Sequence, residues 1–133
     1  GNAGVNVGIV IVTHGGTGHS LLEEAGFVLG KRLVDIPVVA FNHSADMQSG
    51  IEEIRSSIQK VDMGNGILVL TDLMGSSPSN LVNEILEDNH AVMVTGIKLG
   101  MLIRVCNYRN ANLERLTQIA VDGGRNAGKI FQK

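Results

Sequence analysis

A histidine and an aspartate, 58 positions apart, each follow directly on an apolar run. Val7–Val12 leads into Thr13-His14-Gly15-Gly16. Gly66–Leu70 leads into Thr71-Asp72-Leu73-Met74-Gly75-Ser76-Ser77-Pro78. Glycines beside an imidazole leave room on one side for a reacting group. A carboxylate that accepts one ring N–H fixes the tautomer and supports positive charge on the ring when the other nitrogen attacks. Ser77-Pro78 reads as a helix start, an N-cap serine followed by proline at the first helical position. Free N–H groups and the positive dipole end of such a helix favour an anion. Pro78 offers no N–H, so the donors would be Ser77, Ser79 and Asn80, with the hydroxyls of Ser76 and Ser77. Together these are the parts of a phosphoryl-accepting site that calls for no metal and no cofactor.

Other chemistries fit less well. Gly16-Thr17-Gly18 could open a dinucleotide fingerprint, but its third glycine position is Leu21. No Gly-Lys-Ser/Thr follows a strand, and Ser77 has Gly75 before it but Ser79 after it, which is not a nucleophile elbow. His14 and His19 stand five residues apart with no carboxylate or thiolate at ligand spacing. His19 reads as a solvated residue of a first helical turn, and His43 and His90 as loop residues. Each central residue also has a plainer role open to it. His14 could satisfy a backbone carbonyl, Asp72 could serve a turn, and Ser77 could cap a helix only.

The elements that must position these residues alternate in type. Val7–Val12, Pro37–Phe41, Gly66–Leu70 and Ala91–Thr95 are short Val- and Ile-rich runs without apolar–polar alternation. Such runs read as parallel strands buried on both faces. Between them lie helical stripes. Leu21, Leu22, Ala25, Val28, Leu29 and Leu33 form one; Ile51, Ile54, Ile58 and Val61 form another, with Asp46 or Ser49 as its cap. Asn80–Leu86, Met101–Val105 and Leu113–Val121 also read as helices, the last stopped by Gly123-Gly124. Strand, helix, strand, helix implies an open α/β sheet with right-handed crossovers and helices on both faces. In such sheets function sits beyond the carboxyl ends of the strands, where strand order reverses. If the first and third strands are neighbours, His14 and Asp72 meet there.

Composition narrows the class. The 133 residues read as one domain, 1–133, large enough for a core; the first six, lacking an initiating Met, are expected to include a remnant foreign to the natural chain. With a net charge of −2 and 18% charged residues, no global field invites nucleic acid. No apolar run approaches a membrane span. The single cysteine, Cys106, leaves a cytoplasmic location as the default. With only three Phe, one Tyr and no Trp, the core must be aliphatic.

Thr13-His14-Gly15, taken with Leu70-Thr71-Asp72-Leu73-Met74-Gly75-Ser76-Ser77-Pro78-Ser79-Asn80, resembles the mannose-type enzyme IIA family of the bacterial phosphoenolpyruvate-dependent sugar phosphotransferase system. The similarity runs from about Val7 to Gly128. It implies that His14 takes a phosphoryl group from the phosphocarrier protein HPr and passes it to a IIB protein in sugar uptake. It also implies that Asp72 is the partner of His14, and that Thr13, Gly15, Ser76, Ser77 and Ser79 surround the phosphate. The implied fold is a five-stranded, mostly parallel sheet whose last, antiparallel strand, near Ala127–Phe131, is exchanged in a homodimer. Three features depart from the family's pattern: Ser76 in place of a glycine, Met74 in place of an aromatic, and Lys98-Leu99-Gly100-Met101-Leu102 after the fourth strand. They bear on the docking partner rather than the phosphoryl chemistry. A regulatory phosphoprotein that reports flux to a regulatory partner is the alternative expectation. A role in dihydroxyacetone phosphorylation is a third.

Overall fold

In the computed structural model, residues 6–41, 47–72, 85–87 and 90–132 are described. Four strands, β1 (Gly8–His14), β2 (Val38–Phe41), β3 (Ile67–Thr71) and β4 (Ala91–Thr95), form a sheet in the order β2-β1-β3-β4. All three pairings are parallel, with Ile11 opposite Val38, Val12 opposite Thr71 and Leu68 opposite Val92. The helices are α1 (Thr17–Leu29), α2 (Met47–Val61), α3 (Leu99–Asn107) and α4 (Leu113–Asn126), and residues 85–87 are also helical.

The unbroken apolar strands are explained by helices on both sheet faces. Alternate residues of β1 and β3 point opposite ways. Ile9, Ile11, Leu68 and Leu70 pack with Ala25 of α1, Leu102 and Val105 of α3, and Leu116 of α4. Val10, Val12, Ile67 and Val69 pack with Ile51, Ile54 and Ile58 of α2. Burial of each such side chain contributes about 1.5–3 kcal/mol, so the two central strands anchor both layers of the core. No helix among the described residues is long and apolar enough to cross a membrane.

Several expectations need correction. Among the described residues the sheet has four strands, all parallel, rather than the five expected. Residues 127–132 form no strand; Ala127 lies against Gly100, and Ile130 and Phe131 are 87% and 91% exposed. Among the described residues no strand pairs with them.

Nor do Gly123 and Gly124 stop the last helix, for α4 continues through both to Asn126. They let α4 close on α3: a Cβ at Gly123 would stand 3.1 Å from the Arg104 side chain, and one at Gly124 only 2.7 Å from Met101 Cε. α1 ends at Leu29 on a left-handed Gly30, so Leu33 joins the core from the following turn, and Val28 of the expected stripe is 60% exposed. Ser49 lies inside α2 rather than capping it. Asp46, and residues 80–84 of the helix expected at Asn80–Leu86, lie outside the described residues.

Candidate functional site

β1 is followed by a connection to β2 on one side, while β3 adds on the other. The order of the sheet therefore reverses between β1 and β3, which opens a crevice at their carboxyl ends. His14 is the last residue of β1, and Asp72 follows β3 directly. The structure joins them. The Asp72 carboxylate lies 3.1 Å from His14 Nδ1 through each of its oxygens, and Oδ2 also accepts the His14 backbone N–H at 3.0 Å. The side chains are 44% and 21% exposed, so the ring edge meets solvent while the carboxylate is largely covered. With Nδ1 donating to Asp72, the neutral ring carries its lone pair on Nε2. A histidine held in this way can act as a nucleophile through Nε2, with a carboxylate behind the charge that would form on attack.

The surroundings explain why glycines follow the histidine. Gly15 has φ +49°, which a side chain would strain, and its N–H donates to the Phe41 carbonyl at 2.9 Å. Among the described residues, a Cβ at either Gly15 or Gly16 would meet nothing within 4 Å.

Thr13, which the resemblance sets beside the phosphate, is the residue before His14 on β1. It is buried, and its hydroxyl accepts the Gly18 N–H at 2.7 Å, which supplies α1 with an N-terminal partner that Gly16 cannot. Gly18 permits that approach: a Cβ there would come within 2.9 Å of Thr13, Val38 and Ile11 side-chain atoms. α1 is thus fixed with its N-terminal end at the crevice.

Two supports of the site come from backbone alone. Gly96, at φ +80°, donates its N–H to the Asp72 carbonyl at 3.0 Å, and Ile97 donates to the Thr71 carbonyl at 2.8 Å. These bonds pin the segment after β4 against Asp72. Lys98 is exposed and stands at the N-cap of α3.

His19 is exposed in the first turn of α1, and His90 is exposed at φ 47°, as solvated and loop residues should be. Ser76, Ser77, Ser79 and His43 lie outside the described residues. Among those described, no three His, Cys, Asp or Glu side chains group as a metal site. Cys106 lies in the core rather than at the crevice, where burial pushes its thiol pKa up.

Fold and site together define a doubly wound α/β protein with a histidine–carboxylate pair at its switch point. The family model described as "PTS system fructose IIA component" matches residues 8–120. The chain belongs to this mannose-type enzyme IIA family of the phosphotransferase system, as the motif resemblance implies.

The mannose-specific EIIAB component of the phosphotransferase system from Escherichia coli is 29% identical over 131 residues, which cover 96% of this chain and 40% of that protein. The chain therefore spans less than half the length of such relatives. A mannose/sorbose-specific IIA subunit from Enterococcus faecalis shares the fold with a TM-score of 0.80 at 23% identity, covering 96% of both chains. So does a IIA protein associated with the fucose utilization operon from Streptococcus pneumoniae, with a TM-score of 0.77 at 21% identity, covering 98% of this chain and 95% of that one.

Proposed function

We propose that this chain is a phosphoryl relay in sugar uptake, which accepts phosphate on His14 from HPr and passes it to a IIB protein. The observation that carries the reading is the double hold of Asp72 on His14 at the switch-point crevice. Family membership supports the general role, and the E. coli relative is itself a mannose-specific component.

In the step, the Nε2 lone pair attacks the phosphorus of the donor phosphohistidine. The donor P–N bond breaks, its electron pair returns to the donor ring, and a new P–N bond forms at His14. No proton needs to leave the ring, because Nδ1 keeps its hydrogen, donated to Asp72, and the carboxylate balances the imidazolium charge. Transfer onward repeats the exchange with a nucleophile of the IIB protein. The N-terminal end of α1, and the Ser76, Ser77 and Ser79 segment, would hold the phosphoryl oxygens.

The tail completes the assembly in this reading. β4 pairs only with β3, so its outer edge has no partner strand among the described residues, and open edges are normally covered. An exchanged strand near Ala127–Phe131 would cover a partner's edge and bury Ile130 and Phe131, giving a homodimer.

The test is transfer itself. The chain incubated with phosphoenolpyruvate, enzyme I and HPr should gain one acid-labile phosphate and lose it on adding a IIB protein. No gain with active enzyme I and HPr would overturn the reading.

A further inference from the structure

We infer that Gly96 is a positioning residue for phosphoryl transfer, an inference that rests on the phosphoryl reading of His14. Its left-handed turn fixes Asp72 and, through Asp72, the His14 ring. The last pair of the β3–β4 ladder is Thr71 with Thr95, so Asp72 stands one residue past the pairing. Nothing in the ladder itself holds a residue at that place.

The hold comes from the two residues that follow β4. Ile97 donates its N–H to the Thr71 carbonyl at 2.8 Å, and Gly96, at φ +80°, donates to the Asp72 carbonyl at 3.0 Å. The peptide groups on either side of the Asp72 side chain are thus both tied. The clasp is anchored in its turn. Ile97 is buried with Leu102 and Val105 of α3, and Lys98 is the N-cap of that helix. Gly123 and Gly124 of α4 let α3 approach closely at Arg104 and Met101. The α3–α4 layer therefore sets where the Asp72 backbone sits, and Asp72 holds both the backbone and the ring of His14. A misplacement of about 1 Å in such a contact costs roughly 10²-fold in rate.

Glycine takes this turn without the strain that a Cβ brings at positive φ. Yet a Cβ at Gly96 would meet nothing within 4 Å among the described residues. Substitution there alters the backbone turn and adds no packing clash. Asparagine tolerates left-handed backbone better than alanine does.

Rapid-quench transfer from phosphorylated HPr tests this with Gly96→Ala, Gly96→Asn, Asp72→Asn and the Gly96→Ala, Asp72→Asn double variant. Gly96→Ala should slow transfer about 10-fold or more, yet less than Asp72→Asn does, because the carboxylate is displaced rather than lost. Gly96→Asn should recover most of that rate. In the Asp72→Asn background, Gly96→Ala should change the rate by less than ~2-fold, since both residues act through one contact. Should Gly96→Ala fail to fold, the cycle runs on Gly96→Asn, whose smaller loss should likewise vanish with Asp72→Asn. Nitrogen NMR of the His14 ring reads the same hold without HPr. Wild type should carry the ring hydrogen on Nδ1, and Gly96→Ala should move part of the population to Nε2–H. A Gly96→Ala variant with wild-type rate and ring state would overturn the inference. So would a slowing that persists in full without the Asp72 carboxylate. A wild type that takes no phosphate refutes the phosphoryl reading instead, and the ring spectrum then decides whether Gly96 positions Asp72.

Discussion

Val12 and Thr71 are direct partners in the β1–β3 ladder, and this one register sets the reach of the site. His14 lies two residues beyond that pair on β1, and Asp72 one residue beyond it on β3. The carboxylate can therefore bond the backbone N–H of His14 and its Nδ1 at once. The ring is held by the sheet rather than by a loop.

Removing that hold should slow transfer without unfolding the chain. Asp72→Asn retains the shape but removes the charge that supports the imidazolium. The expected loss in phosphoryl-transfer rate is roughly 10²–10⁴-fold, with the circular dichroism spectrum unchanged. Rapid-quench measurement of phosphate transfer from HPr reads this. A normal rate in Asp72→Asn would remove the pair from the mechanism.

Gly18→Ala probes the seating of α1. Its new Cβ meets the Thr13 hydroxyl and Val38 at 2.8 Å, and Ile11 at 2.9 Å, in the packed seam between helix and sheet. Overpacking of this kind costs about 1–3 kcal/mol, and the Thr13–Gly18 bond is strained with it. Urea unfolding should show a lower midpoint at unchanged slope.

The buried thiol gives a contrast between folded and unfolded states. Burial raises the Cys106 pKa, so at pH 8 the reactive thiolate is scarcer in the folded chain, and access is blocked as well. Alkylation by iodoacetamide should be slow in buffer and rapid in denaturant. The nearby Arg109 and Lys31 charges oppose the shift but rank behind burial. Fast alkylation of the native protein would contradict this packing.

Deleting Ala127–Lys133 tests the exchanged tail. Light scattering of the full chain at micromolar concentration should give a dimer, and of the truncated chain a monomer or an aggregate. A full-length mass near 14.1 kDa would remove the dimer.

The strands and the partnership of His14 with Asp72 were legible because both rest on strong local signals. β-branched runs such as Ile9–Val12 and Ile67–Leu70 cannot be half-exposed, and a polar residue at their carboxyl end has one place to go. What was not legible depends on tertiary approach. Gly123-Gly124 has the composition of a helix stop and serves helix contact instead, because Arg104 and Met101 lie against it. Val28 fits a helical stripe by spacing and is 60% exposed, for only Gly18 and Ala25 of α1 are fully buried. The hydrogen bond from the Gly18 N–H to the Thr13 hydroxyl, which seats α1 on the sheet, has no local signature either.

The central claim is that His14 alone takes the phosphoryl group, and intact-mass measurement tests it most directly. Wild type and a variant with His19, His43 and His90 all changed to Ala should each gain one phosphate from phosphoenolpyruvate, enzyme I and HPr. His14→Ala should gain none. Phosphate retained by His14→Ala, or lost in the triple variant while its fold is intact, would contradict the account.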